Sequence, residues 1–306
     1  MRKRVQPFGD RTMKYFEKHP MIMVVIGVLG VSLSAILVRF STAPSAVTAA
    51  WRLLWTVLLL TPVVFGKKEN RNELLHLPKK ELLLSSVSGI FLALHFAMWF
   101  ESLQHTSVAS STTIVCTDVI WVSLGFCLFL KGKLTWKAVL AIVGAFAGSV
   151  LIACADATAG IGLYGVMLAL LAAIAASVYT LIGRIVRETV STTVYTYTVY
   201  ACCAAVLLIL CAVQKHNIFA FGGKNILVGL SLAVASTLLG HSVFSWCLKY
   251  LSPSFITAAK LCEPVVAAVL AVFLFKEYPA IMQIIGSAVI LISVYCYSRL
   301  ERKNES

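Results

Sequence analysis

A chain of 306 residues, 59% hydrophobic and 13% charged with a mean hydropathy of +0.89, carries too few polar side chains to coat a soluble domain. Its apolar residues come in runs of about 20, the length that crosses a bilayer as a helix, which excludes a soluble enzyme and points to a polytopic membrane protein. The formal net charge of +13 invites a nucleic-acid partner, and the distribution of that charge removes the invitation.

Residues 1–19 form a charged tail, and no A-x-A-like site follows the first apolar run, so no cleavable signal peptide is expected. Ten spans come next, near 20–38, 45–66, 82–104, 107–130, 135–154, 160–186, 191–212, 225–248, 252–275 and 279–298, and then a short tail at 299–306. The loops leave no room for a soluble domain. The periodicity is helical or featureless, unlike the alternation of an outer-membrane barrel. The expected fold class is an all-α integral membrane protein of ten transmembrane helices.

With the N-terminus placed inside, twenty of the 26 Lys and Arg fall on inner segments: six in 1–19, five at 67–80, three at 131–137, Arg184, Arg187, Lys249 and three after 298. The outer segments hold Arg39, Lys215, Lys224 and Lys276, while Arg52 and Lys260 lie within spans. This positive-inside bias puts both termini in the cytoplasm of a cell-membrane protein, most of the signal coming from the first half. The basic tail then faces anionic lipid headgroups rather than nucleic acid. All nine cysteines lie within or at the ends of spans, an odd number with no C-x-x-C pair. Reduced, packed thiols are expected, with no metal and no cofactor.

Sliding the chain by 145 residues lays Asp118 on Glu263, Ser107 on Ser252, Thr112 on Thr257, Leu103 on Leu248, and FCLFLK (126–131) on AVFLFK (271–276). A shift of 142 brings Gly144 onto Gly286. The match covers the last two or three spans of each half and fades over the first two. Two units of five spans, 20–154 and 160–298, enter the membrane from opposite sides and form an inverted repeat. Such repeats mark secondary transporters, whose substrate sits near the midplane where the halves meet.

Asp118 and Glu263 each lie about eleven residues into their spans, near mid-membrane at roughly 1.5 Å per residue. Asp118 is a protonatable site for a cation or a coupling proton, or else a structural partner of Arg39, Arg52 or Lys260. Ser107, Ser111 and Val115 share its helical face. Glu263 reads as architectural, because Lys260 stands one turn before it and Pro264 frees a backbone carbonyl. Lys260 could instead hold a substrate carboxylate. His95 and Trp99, one turn apart, form a wall of the substrate site or a packing pair; His241, Trp121 and Tyr179 carry the same two readings. Nearer the outer surface, Arg39, Arg52 and Glu101 form an outer gate or snorkel to headgroups.

Two motifs carry no function. GIGLYG (160–165) matches G-x-G-x-x-G by letter but opens an apolar span with no strand–helix unit behind it. GAFAG (144–148) allows close helix approach, within one copy or between two.

The stretch FITAAKLCEPVVAAVLAVFLFKEYPAIMQIIGSAVI resembles the second EamA domain of the drug/metabolite transporter superfamily, through Glu263-Pro264 in an Ala-rich helix, Lys276-Glu277 at its end and Gly286. ALHFAMWFESLQHTSVASSTTIV (93–115) is similar to spans 3–4 of the first domain. The first domain departs from the pattern at Val119, where a proline is common, at Gly132, where an acid is common, and at Asp118 itself. The resemblance implies a carrier of small organic metabolites, such as an amino acid or related compound, commonly exported. No P-loop occurs, so ATP does not drive it; protons, exchange or the substrate gradient would. The alternative class is an intramembrane enzyme or a lipid- or ligand-binding sensor, but no H-E-x-x-H or clustered acids on cytoplasmic loops support an enzyme. The expected partners are a small-molecule substrate, protons and membrane lipid, with monomer and homodimer both open.

Overall fold

The computed structural model describes residues 20–130, 136–158, 163–251, 256, 259–260 and 262–305. The basic tail 1–19, KGK at 131–133, the start of GIGLYG, and Ser252 and Thr257 of the repeat lie outside the described residues. What is described is helical, with no strand among the described residues.

The first span is α1 (Pro20–Ser32) continued by α2 (Ser34–Arg39), with a break where Ser32 Oγ donates to Val28 O at 2.8 Å and draws hydrogen bonding away from the helix ladder. Then come α3 (Ser45–Gly66), the short surface helix α4 (Lys68–Leu75), and α5 (Lys79–His105). The fourth span splits into α6 (Val108–Val115) and α7 (Asp118–Leu130). Thr112, Thr113 and Thr117 all turn their hydroxyls onto carbonyls three or four residues back, which competes with the ladder just where the helix breaks. The fifth to seventh spans are α8 (Trp136–Thr158), α9 (Leu163–Val186) and α10 (Thr192–Val213). The eighth runs from α11 (Gly222–Ser231) through a π-helical stretch, Leu232–Ser242, into α12 (Val243–Cys247). The ninth resumes at α13 (Cys262–Phe275), and the tenth is α14 (Ile281–Glu305).

Six of these spans are long and apolar enough to cross a bilayer unaided, and four shorter apolar stretches lie at 108–122, 139–152, 262–275 and 281–293. The ten spans make a multi-pass membrane protein. Side chains such as Val25, Leu29, Val143, Phe146, Ile284 and Ile292 point outward because lipid, not water, surrounds them. The short helix α4 was read in sequence only as a charged loop.

Packing follows a two-fold scheme. In each half the third span packs against the first span of the other, α5 on α9 and the π stretch on α1. The second spans α3 and α10 meet each other, as do the fifth spans α8 and α14. Gly148 and Gly286 set that last crossing reciprocally: a Cβ on either would lie 2.7–2.8 Å from the other's carbonyl oxygen. The equivalent pair is therefore Gly148 and Gly286, one helical turn from the Gly144–Gly286 match expected from sequence. Gly144 instead faces Ser293. Two glycines four apart look alike in sequence, and only the crossing point distinguishes them. Both face α14 within one copy.

The loops at 40–44, 106–107, 214–221 and 276–280 gather on one face, called face I here. Those at 67–78, 187–191 and 248–251 gather on the other, face II.

Candidate functional site

A small cavity lies where the two halves meet, bounded by Val31, Ser34, His95, Trp99, Val115, Cys116, Asp118, Ala176, Tyr179, Thr180, His241, Lys260 and Glu263. Four pairs of these residues stand 145 apart in sequence: Val31 with Ala176, Ser34 with Tyr179, Val115 with Lys260, and Asp118 with Glu263. The cavity therefore sits on the pseudo-two-fold relation itself. Its frame is symmetric and its chemistry is not, since the second repeat brings a phenol and an ammonium where the first brings a serine and a valine.

Both acids sit at a helix restart. Asp118 opens α7 after the break at 116–117, and Glu263 is the second residue of α13. Lys260 lies in the turn before α13, where Glu263 N–H donates to its carbonyl at 2.7 Å. Because the helix is interrupted there, the one-turn side-chain geometry assumed for Lys260 and Glu263 does not hold. The Lys260 ammonium instead crosses to the other repeat and binds Asp118 Oδ2 at 3.1 Å. The expected Lys260–Glu263 pair is thus replaced by Lys260–Asp118. Among the described residues Glu263 forms no ion pair; it faces the cavity beside both. The second Asp118 oxygen, Oδ1, is buried without a hydrogen-bond partner.

An aromatic wall faces the ion pair. His95 and Trp99, one turn apart on α5, stack with ring centroids 5.7 Å apart and planes 18° off parallel. His95 Nδ1 lies 3.0 Å from Ala172 O, and a carbonyl can only accept, so Nδ1 carries a proton. His241, from the π stretch, lies 6.3 Å from both the His95 and Tyr179 rings. Tyr179 is fixed by Ser245 Oγ at 3.0 Å. Trp99 Nε1 is a second buried polar atom without a partner. The free volume is about 30 Å³, room for a water or two and well below that of a pocket holding an organic ligand.

His95, Trp99, Asp118, Tyr179, Lys260 and Glu263 thus come together. Ser111 and Trp121 do not. Ser111 bonds Ser102 Oγ at 2.9 Å, and Trp121 lies in a separate cleft against Phe146, on another face of α7.

The three outer residues are also dispersed. Arg52 is fully buried, its guanidinium 4.1 Å from the Phe96 ring centroid, with Nε on Thr237 Oγ1 at 2.7 Å and Nη1 on Ser34 Oγ at 3.1 Å. It ties the second span to the first and eighth, and meets no carboxylate at ion-pair distance among the described residues. Glu101 is half-buried, 3.6 Å from His105 Nδ1 and away from both arginines. Arg39 pairs with Glu277, a residue sequence reasoning left in its motif without a role. The signal was present in the 145-residue shift, which also lays Arg39 on Arg184. Among the described residues no group of three or more His, Cys, Asp or Glu could hold a metal ion.

Comparison with known proteins agrees with this architecture. The EamA-like transporter family model matches residues 19–154 and again 163–299. An uncharacterized transporter of Clostridium kluyveri is 26% identical over 262 residues, covering 83% of each chain. The uncharacterized transporter YxxF of Bacillus subtilis is 24% identical over 215 residues, 69% of this chain and 68% of its own. One crystal structure superposes with a TM-score of 0.67 over 94% of this chain and 99% of its own, at 18% identity, which shows a shared fold.

Proposed function

The chain belongs to the EamA-like transporter family, and from that premise we propose that it is a secondary transporter exporting a small organic metabolite such as an amino acid or related compound. It would work by alternating access around the cavity at Asp118, in the cell membrane with both termini cytoplasmic. The membrane transporter and its small-molecule cargo follow from the family; cargo class, direction and mechanism are the proposal.

The observation that carries it is the Lys260–Asp118 pair at the seam of the repeats, with Asp118 Oδ1 and Trp99 Nε1 unpartnered beside it. A zwitterion can split that pair without leaving a net charge in the membrane: its ammonium takes Asp118 and its carboxylate takes Lys260. A zwitterion leaves the net charge of Asp118, Lys260 and Glu263 unchanged, whereas a lone ion brought to the same depth changes it. An apolar or planar body would rest against the His95–Trp99 stack. When the cargo leaves, Lys260 returns to Asp118, so the empty carrier can reorient. A proton on Asp118 would also release Lys260, to Glu263 beside it, which is the coupling role proposed for that acid. Because the free space is about 30 Å³, the spans must part before any such cargo enters.

The test is a melting-temperature screen of purified protein in detergent against amino acids, nucleosides, sugars, polyamines and cationic drugs, followed by counterflow in proteoliposomes with any class that stabilises. A ligand that binds only the folded state raises the melting temperature. A shift for amino acids that vanishes in Asp118→Asn supports the reading. A shift for another class unaffected by Asp118→Asn moves the cargo elsewhere, and no shift and no counterflow with any class favours a lipid-binding sensor.

A further inference from the structure

Each repeat carries an arginine in the last turn of its first span, and both arginines make the same bond. Arg39 Nη1 donates to Leu103 O at 3.0 Å, and Arg184 Nη1 donates to Leu248 O at 2.8 Å. Donor and acceptor are each displaced by 145 residues, so this is one structural device present twice, once at face I and once at face II.

Only one copy is completed by an acid. At face I the other guanidinium nitrogen of Arg39 pairs with Glu277, and the second Glu277 oxygen accepts from the backbone N–H of Val108 at 3.2 Å. Glu277 belongs to the second repeat and Arg39, Leu103 and Val108 to the first, so this cluster ties the halves together directly above the cavity. Phe40 meets Phe275 beside it, ring centroids 5.3 Å apart and planes tilted by 55°. Lys276, at φ 56°, ends α13 with a left-handed residue that turns Glu277 back over the bundle. At face II, Arg184 meets no carboxylate at ion-pair distance among the described residues. By the 145-residue shift the position of Glu277 falls on Gly132, which lies outside the described residues and has no side chain to offer in any conformation.

We propose that Arg39–Glu277 is the gate at face I, that face II carries the same frame without its lock, and that the carrier therefore favours states closed at face I and open at face II. This rests on the transport reading above. Under the orientation with both termini inside, face II is cytoplasmic, so the unloaded carrier waits open to the cell interior. That is the state an exporter must return to before each cycle. A difference in lock strength between the two faces biases the resting equilibrium by that difference, set against the face II tie in which Ser191 N–H donates to Glu73 Oε1 at 2.6 Å.

Cys116 supplies a native reporter, since its thiol is free, buried and part of the cavity wall. Sealed right-side-out and inside-out vesicles carrying the full chain are treated with a membrane-impermeant sulfonated maleimide. The rate at Cys116 is read by peptide mass spectrometry. A cysteine introduced at Lys215, in the loop 214–221, identifies which vesicles present face I. In the wild type, Cys116 is expected to react faster from face II. Glu277→Gln and Arg39→Gln should each raise the face I rate about fivefold, equivalent to about 1 kcal/mol at 1.4 kcal/mol per tenfold. Arg184→Gln should leave the face II rate within about twofold. The exchanged pair Arg39→Glu with Glu277→Arg should return the face I rate toward wild type, which a fold defect would not do.

If Glu277→Gln leaves the face I rate unchanged, or Arg184→Gln opens face II as strongly as Arg39→Gln opens face I, the gate assignment is wrong even where counterflow persists. If Cys116 reacts from neither face in any variant, the cavity does not open to either side, and the transport reading fails together with the gate.

Discussion

Lys260, from the second repeat, places its ammonium 3.1 Å from a carboxylate oxygen of Asp118, from the first. The two charges sit at the interruptions of the fourth and ninth spans, so one contact joins the halves at their least regular backbone. Discontinuous helices are tolerated inside a membrane where they line a cavity, and the ion pair occupies that cavity.

Removing one partner strands the other. Asp118→Asn keeps the side-chain size but leaves the Lys260 ammonium without its counter-charge, and the loss is expected to be about 3 kcal/mol. The double variant Asp118→Asn with Lys260→Met removes both charges and should melt above the single variant. Melting temperatures of the three proteins in one detergent check this ordering. A double variant that melts no higher than Asp118→Asn would show that the acid, not the pair, supports the fold.

Trp99 separates binding from packing more cleanly. Its indole N–H is buried without a partner, so Trp99→Phe removes an unsatisfied donor while keeping an aromatic ring against His95. Stability should hold or rise by about 1 kcal/mol, because an orphaned buried donor is a cost to the fold. If cargo supplies an acceptor to that N–H, its affinity should fall by about tenfold, the worth of about one buried hydrogen bond. The readout is the ligand-induced melting shift, compared between the two proteins.

Much of this arrangement is legible in the chain, and its limits have physical causes. Ten spans are readable because lipid demands long apolar helices, and the equivalence of Asp118 with Glu263 because a carboxylate stands out in an apolar run. The sequence leaves Lys260 two partners, Asp118 and Glu263, and the choice between them is not readable. Three residues along a continuous helix would put it beside Glu263, but the helix is broken there, and a four-carbon stem reaches whichever carboxylate the bundle brings near. Counting residues along its span puts Arg52 within the membrane nearer the outer surface, which fixes depth but not direction. Its side chain turns inward onto Phe96, where the ring face and two hydroxyls replace water. Trp121 takes the packing one of its two readings: three residues past Asp118 on α7, it turns to a different face, against Phe146.

Arg52 yields a prediction of its own. Lysine keeps the charge at this position but lacks the planar fork that spans Thr237 and Ser34 while lying on Phe96. Arg52→Lys should destabilise the protein by about 2 kcal/mol, within the range for charge-assisted hydrogen bonds lost from a buried site. A melting curve indistinguishable from wild type would mean that the stacked guanidinium adds nothing a compact ammonium cannot.

The crossing of α8 and α14 supplies the last. At Gly148 an added methyl would sit 2.7 Å from Gly286 O and from Ile290 Cγ1; at Gly286 it would sit 2.8 Å from Gly148 O and from Ile152 Cγ1. Backbone oxygen cannot yield as a flexible side chain can, so either alanine must push the two helices apart. Gly148→Ala and Gly286→Ala should each cost about 1–3 kcal/mol, the usual penalty for overpacking. Because one separation of the helices relieves both clashes, the double variant should cost less than the two singles together. Strict additivity in melting experiments would mean that the two methyls are accommodated independently, and that the reciprocal contact does not fix how closely the fifth spans of the two repeats approach.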